Sequence, residues 1–322
     1  MKENKSFRYN ACISPVEYNG VGWAIRKITK YPDFLPLALM AEHAVELTGQ
    51  LYDYETLPRF FFFFVWNTDK MRSQKSIFAF KVRVAFPPLY LLPKIRKTLG
   101  YIKSKAGGVY FPPHPLFSDV MKFSDNPLAQ DFLDRVFSKL GNLRPVKTIC
   151  LAQEDFCEAE KRGISFTHFD LVTAGHNLSL DFIENVSRII LEHDYVVAPM
   201  PGTFFTLAVY LKRPVYYVEM NLSLSFTVNN FSLRDSSCPL FQRQVRIIEK
   251  AFDPSLAVKM NDADIIRLQR QALIYFTGYP LKFDYLKISL VVWLSLLLNF
   301  DKVLLFFWRR YKNRVVRLRA TG

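Results

Sequence analysis

Cysteine is scarce and unpatterned. The 322 residues hold four, Cys12, Cys150, Cys157 and Cys238, none of them in CxxC spacing. That leaves no disulfide framework to read and implies free thiols in a reducing compartment. Cys150 stands in an apolar run and reads as core. Met1–Tyr9 is polar and basic, without the apolar stretch of a secretory signal, so the expected location is cytoplasmic. Acidic residues are outnumbered: 29 Asp and Glu against 43 Lys and Arg, a net charge of +14. Such a balance favours polyanions, anionic lipid or a phosphorylated substrate. Zinc-finger spacing, an RRM-like aromatic motif and a basic-helix zipper are all missing, so nucleic acid is not the expected partner. No repeat period stands out.

What is present is apolar and aromatic. Half of the chain is hydrophobic and 16% is Phe, Trp or Tyr, enough for a packed core. The length allows two domains of ordinary size. The stretch around which the rest is organised is Tyr195 to Glu219, YVVAPMPGTFFTLAVYLKRPVYYVE. It reads strand, turn, helix, strand. Tyr195–Ala198 is a short apolar run punctuated by Pro199, Pro201 and Gly202. Thr203 opens a helical run with Phe204, Leu207, Ala208 and Leu211 at i, i+3, i+4, i+7. Pro214 ends it, and Val215–Val218 is β-rich. A glycine turn feeding a helix N-terminus aims free N–H groups and a positive dipole end at one spot, which suits a phosphate.

Along the chain, Arg8–Ser14 reads as a first strand, Trp23–Ile28 as a short helix, Leu35–Met40 as an apolar run leading to Glu42 and His43, and Phe60–Trp66 as a buried strand. Val82–Leu92 reads as a strand broken by Pro87-Pro88, and the Lys/Arg/Gly-rich residues 93–107 as the passage into a second domain. Beyond it, strands are expected at Gly107–Phe111, Lys147–Ala152 and Phe169–Thr173. Helices are expected at Pro127–Leu140, Ala159–Gly163 and Leu180–Glu192. This alternation implies a doubly wound parallel sheet, in which ligands bind outside the carboxyl ends of the strands. His114, Glu154, Asp155, His176 and the Pro201-Gly202-Thr203 turn all follow a strand and should gather at that edge. Later, Asn221–Phe231 reads as a loop or lid, Phe241–Phe252 as a helix, and Asp262–Phe276 as a helix capped by Asp and crossing back onto the first domain.

The last feature is ISLVVWLSLLLNF, then Asp301-Lys302, then VLLFFW and RRYKNRVVRLR. Its uninterrupted apolar part is about a dozen residues, too short to span a bilayer. Reading through Asp301-Lys302 would place two charges inside. An apolar helix with a basic flank fits a monotopic anchor at an anionic inner leaflet, and a core helix with a solvated basic tail is the competing reading.

With these residues placed, the stretch from about Gly107 to Glu219 resembles bacterial glycosyltransferases of the GT-B type, of the kind encoded with capsule and lipopolysaccharide synthesis. The pieces are PPHP, QED, TAGH before DFIENV, and PGT with LKRPVYY. A more distant similarity is to CMP-sugar transferases of the sialyl and Kdo type. From their pattern this chain departs at Phe156, Asn177 and Phe204. The resemblance implies an α/β enzyme of two Rossmann-like domains with a C-terminal apolar and basic helix. Residues 1–100 would form the acceptor side, 101–280 the nucleotide-sugar side, and 281–322 the membrane-associating part. It implies a nucleotide-sugar donor as substrate, a glycan or lipid-linked acceptor, and no metal or cofactor. By the chemistry of transfer, Asp155 is the first candidate base and Glu154 the second. His176, Gly202 and Thr203 would stabilise the leaving phosphate. His114 would touch phosphate or acceptor, His43 would face the same cleft, and Glu219 would bind ribose. A catalytically inactive GT-B-like scaffold subunit and a nucleotide-sugar epimerase are the alternatives.

Overall fold

A computed structural model describes residues 19–42, 60–68, 71, 80–112, 133–134, 137–141, 143–163, 168–199, 202–218, 239–280 and 284–320. The expected strand at Arg8–Ser14, the lid at Asn221–Phe231 and most of the Pro127–Leu140 helix lie outside them.

Short apolar runs give short parallel strands. In the first half these are β1 (Met40–Ala41), β2 (Phe62–Val65) and β3 (Phe80–Arg83), a parallel sheet in the order β1-β2-β3. In the second half they are β4 (Gly108–Tyr110), β5 (Val146–Leu151), β6 (Asp170–Thr173), β7 (Tyr195–Ala198) and β8 (Val215–Tyr217). This second sheet is parallel throughout, in the order β6-β5-β4-β7-β8.

Helices precede, link and follow these strands. Helix α1 (Val21–Thr29) comes before β1. A 3₁₀ turn (Pro87–Leu91) runs into α2 (Leu92–Leu99). Helix α3 (Gln153–Lys161) joins β5 to β6, α4 (Phe182–Leu191) joins β6 to β7, and α5 (Thr203–Tyr210) joins β7 to β8. Then come α6 (Pro239–Phe252), the short α7 (Leu256–Lys259), α8 (Asp262–Thr277), α9 (Asp284–Leu298) and α10 (Phe300–Ala320).

The five-stranded sheet is covered on both faces. Tyr110, Ile149, Leu151, Val197 and Tyr216 pack with Ala159 of α3 and with Leu133 and Leu140. Val109, Cys150, Val196 and Ala198 point the other way, into a cluster with Ile183 and Ile190 of α4 and Phe205 and Leu207 of α5. The crossover helix thus changes face between the β5–β6 and the β6–β7 connection, the signature of a doubly wound sheet. Burial pushes the Cys150 thiol up to about 12, which keeps it protonated and inert. The second cluster also takes in Ala41, Phe64, Trp66 and Phe86 from around the small sheet, so one face of each sheet shares a common core, while Met40, Phe63 and Val65 pack in a separate cluster.

Long-range polar bonds fasten the parts. The edge strand β8 is met by Gln269 of α8, whose Oε1 accepts from the Val215 N–H (3.0 Å) while Nε2 donates to the Val215 carbonyl (2.6 Å). A side chain thereby satisfies backbone groups that an edge strand leaves open. The end of α8 reaches the first half: Thr68 donates to the Tyr275 carbonyl, and the Phe86 N–H to that of Thr277. Asp284, at the start of α9, is buried and accepts from the Ala85 N–H and the Tyr90 hydroxyl, both at 2.7 Å.

Three expectations change. Val82–Leu92 is not an interrupted strand: β3 ends at Arg83, and Pro87-Pro88 starts a 3₁₀ turn feeding α2, as proline at a first helical position allows. The residues read as a linker therefore begin as helix. The QED triplet is not a strand-end loop but the first turn of α3. And α8 is capped by Asn261, whose side chain accepts from the Asp264 N–H, rather than by Asp262.

Replacing Asp284 by Ala leaves the Ala85 N–H and the Tyr90 hydroxyl without their acceptor. The loss is expected to destabilise the chain by about 3 kcal/mol in denaturant titration, with Asp284→Asn losing less. A pH dependence follows from His193. This ring is buried, donates from Nδ1 to the Ile189 carbonyl (2.7 Å), and so takes the Thr148 hydroxyl as donor to Nε2 (2.7 Å). Burial lowers its pKa, helped by Lys105 and opposed by the Ile189 carbonyl, Glu192 and Asp194. The unfolded chain therefore binds the proton first, and this contribution to stability is lost as pH falls below about 6.5 toward the folded value. Melting temperatures measured across that range should fall less steeply for His193→Gln than for the parent chain.

Candidate functional site

In the order β6-β5-β4-β7-β8 the strand sequence reverses between β4 and β7. That is the switch point, where neighbouring crossovers depart to opposite faces and leave a crevice at the carboxyl edge. Four strand ends meet there in known order.

On one side of the switch, β4 ends in Phe111 and Pro112. Phe111 donates its N–H to the Val197 carbonyl (2.9 Å), holding the end of β4 against β7. On the other side, β7 leads to Gly202, the N-cap of α5. Gly202 offers no side chain to cap the helix, so among the described residues the positive end of the dipole is left to the first-turn N–H groups. Thr203 is the first residue of α5. It is 6% exposed, and its hydroxyl has no hydrogen-bond partner among the described residues. Phe204 follows, half-exposed, its ring stacked on that of Phe111 with centroids 4.4 Å apart and planes within 3°. The residue that breaks the sequence pattern thus forms an aromatic floor to the crevice.

Next outward, β5 feeds directly into α3. Adjacent residues on a helix point about 100° apart, and the QED triplet is divided accordingly. Asp155 is 3% exposed, while the Glu154 side chain is 58% exposed. Gln153 bridges to Cys157 and Thr173. Beyond β6 the chain turns through Ala174-Gly175-His176. Gly175 has φ +87, in the region that favours glycine. The turn is pinned by the Gly175 N–H on the Thr173 hydroxyl and by the Asn185 amide on the Ala174 carbonyl.

That turn brings His176 to Glu154, with Nε2 to Oε1 at 3.3 Å. The other ring nitrogen accepts from the Leu178 N–H at 3.1 Å. Nδ1 is therefore unprotonated in the neutral ring, Nε2 carries the hydrogen, and the bond runs from His176 to the Glu154 carboxylate. Since its one lone pair is engaged, the neutral imidazole acts here only as a donor.

The strand order also separates groups that the sequence placed on one phosphate. His176 follows β6 and the Gly202-Thr203 turn follows β7, three strand spacings away, about 14 Å at the usual inter-strand distance. His176 with Glu154 forms one cluster and the α5 N-terminus another, with the end of β4 between them. His43, His114 and Glu219 lie outside the described residues. Among the described residues no three His, Cys, Asp or Glu side chains gather as a metal set. The Phe111–Phe204 stack was not foreseen in sequence, although two aromatics flanking a strand-end pair are a readable signal.

No family model matches this chain, and no curated protein matches it. Among solved structures, a variant of the wall teichoic acid polymerase TagF is similar with a TM-score of 0.40 and 12% identity, over 76% of this chain and 60% of that one. The chain thus spans less than two thirds of that polymerase's length.

Gly175→Ala tests the turn that carries His176. The nearest neighbour to an added Cβ is 4.0 Å away, so space is not the obstacle and only the positive φ is. A loss of about 1 kcal/mol in denaturant titration is expected. The His176 ring signals in NMR should move while those of His193 stay.

Proposed function

We propose that the carboxyl edge of the five-stranded sheet holds a nucleotide-sugar and transfers its sugar to a hydroxyl of a glycan or lipid-linked acceptor. One observation carries the reading: at the switch point, the glycine-capped N-terminus of α5 carries a buried Thr203 hydroxyl without a partner among the described residues. A buried hydroxyl left unsatisfied costs about 1–3 kcal/mol, and a phosphate oxygen offers the acceptor that it and the first-turn N–H groups lack.

The roles follow from the spacing. The donor phosphate lies against Gly202, Thr203 and the α5 dipole. The sugar extends over the end of β4, and the acceptor hydroxyl meets Glu154. In the transfer the bond from the anomeric carbon to the phosphate oxygen breaks. The leaving nucleotide keeps the electron pair, stabilised by the helix N-terminus. The acceptor oxygen bonds to the anomeric carbon and gives its proton to Glu154. His176 is a positioning residue: its Nε2 lies 3.3 Å from the Glu154 carboxylate and orients it toward the crevice. Asp155, first choice by sequence, is buried, so the base assignment passes to Glu154. No cofactor enters this scheme, and the nucleotide-sugar is substrate.

The stacked Phe111 and Phe204 favour one second reading. They narrow the crevice where a hydroxyl-bearing residue is expected, as in a GT-B-like scaffold subunit that binds without turnover. A nucleotide-sugar epimerase would act on donor alone, which product analysis without acceptor distinguishes.

A thermal-shift panel of CMP, CDP, UDP, GDP and ADP tests the phosphate site. One nucleotide should stabilise the chain by about 2.7 kcal/mol at a hundredfold excess over its dissociation constant. Thr203→Val should weaken that binding about tenfold. Glu154→Gln should keep the binding and lower transfer by about 10²–10⁴. His176→Ala should keep the binding and lower transfer, with a smaller loss than Glu154→Gln. Binding without turnover in the parent chain would select the scaffold reading, and no shift with any nucleotide would overturn the site.

A further inference from the structure

Helices α9 and α10 are built inside out. On an ordinary surface helix the apolar stripe faces the core and the polar face meets water. On α9 the polar side chains turn inward. Asp284, Ser295 and Asn299 (which follows α9) are buried, and Ser295 donates its hydroxyl to the Ala38 carbonyl, which Asn299 Nδ2 also reaches at 3.3 Å. Ile288, Val291 and Val292 complete that inner face.

The outer face is leucine. Leu286 is 70% exposed and Leu297 69%, with Leu290 and Leu294 between them at helical spacing. Past Asn299 the ridge continues on α10 through Leu304 and Trp308. It also widens over the start of the small sheet, where Phe61 and Phe80 are exposed and Lys302 lies over the Phe61 ring at 6.0 Å. So many large apolar side chains exposed on two successive helices mark an interaction surface.

Three further features choose the partner. First, beyond Asp301 the chain has no acidic residue, while Lys302, Arg309, Arg310, Lys312, Arg314, Arg317 and Arg319 follow. Second, exposed aromatics stand at both ends of the ridge, Tyr285 at one and Trp308 with Tyr311 at the other. That is where amphipathic rings sit at a lipid headgroup boundary. Third, among the described residues no single helix is long and apolar enough to cross a membrane. The two arms pass that test only together, and they meet at 69°. Straightening them into a span would pull Asn299 off Ala38 and carry Asp301 and Lys302 into hydrocarbon.

We propose that α9 and α10 seat this protein on an anionic bilayer, lying in the interface with the leucine ridge under the headgroups and the basic end of α10 against the phosphates. The inward polar bonds keep the ridge in place, so the whole body is docked rather than a detached tail. This proposal stands independently of the transferase reading.

The experiment is vesicle flotation of the full chain, with phosphatidylcholine alone and with phosphatidylcholine mixed with phosphatidylglycerol. The mixed vesicles should bind the chain, added salt should weaken binding, and tryptophan emission should shift to the blue, since Trp293 and Trp308 lie on this surface. Leu290→Glu/Leu297→Glu should lose at least about tenfold in vesicle affinity with an unchanged circular dichroism spectrum. Arg309→Glu/Lys312→Glu, which leaves the ridge intact, should lose about fivefold per charge removed and most of the salt dependence. Bromines near the headgroup should quench more than bromines at the chain end. Equal vesicle binding by parent and leucine variants, or stronger quenching at the bilayer centre, would overturn the proposal. So would a dimer in sedimentation that fails to bind mixed vesicles, since a second copy would then cover the ridge.

Discussion

A parallel sheet has no face to spare for water. Its connections must cross over, and each crossover lays a helix on one face or the other. Here the five strands from Gly108 to Tyr217 are covered by α3 on one side and by α4 and α5 on the other. The change of side has to happen somewhere, and it leaves a crevice at the carboxyl edge between β4 and β7. Every group with chemical promise in the second half is at that edge for this reason. Strands end there, backbone groups leave the ladder, and helices begin with their positive ends forward. Gly108, which opens β4, serves the close packing of the same sheet, since a side chain there would run into the Tyr195 ring of β7.

At such an edge two neighbouring carboxylates need not share a fate. In the first turn of a helix, one residue of offset separates core from solvent. Asp155 falls on the side of Ala159, which is fully buried, and Glu154 on the side of Glu158, which pairs with Arg162. An inward carboxylate near a helix N-terminus helps to hold the helix against the sheet. The outward one is the one open to solvent. The His176 turn then settles what Glu154 can do, because a backbone N–H has taken the only lone pair of the neutral ring and left it to donate. The pair arises from two loops that follow adjacent strands, and the strand order makes them neighbours.

The strands were legible because a strand buried on both faces is an unbroken apolar run, as at Tyr195–Ala198 and Phe60–Trp66. The ends of β5, β6 and β7 were legible for the same reason. Which carboxylate faced outward was not read, because the helix was expected to begin at Ala159. Had QED been counted as its first turn, the i, i+4 relation of Asp155 to Ala159 would have shown the phase. The proline pair at Pro87-Pro88 was read as a break in a strand, although the same ring geometry opens a helix. Other features have no local signal. Asp284 finds Ala85, and Gln269 finds Val215, across long stretches of chain, and only the closed core brings them together.

The same core explains why α9 can afford its outer face. A helix whose inner side were only leucine could rotate at little cost, because one apolar stripe packs much like another. Polar groups on the inner side remove that freedom, since turning them out of register would strand the Ala85 N–H and the Ala38 carbonyl in the interior. The inward Asp284, Ser295 and Asn299 therefore fix the rotation of α9, and with it the direction in which Leu286, Leu290 and Leu297 must point. Leaving that ridge in water costs about 25 cal/mol for each Å², a standing penalty that polar side chains at the same positions would remove. The fold spends its directional bonds on holding the apolar side outward, which is the orientation that the proposed docking on an anionic bilayer requires.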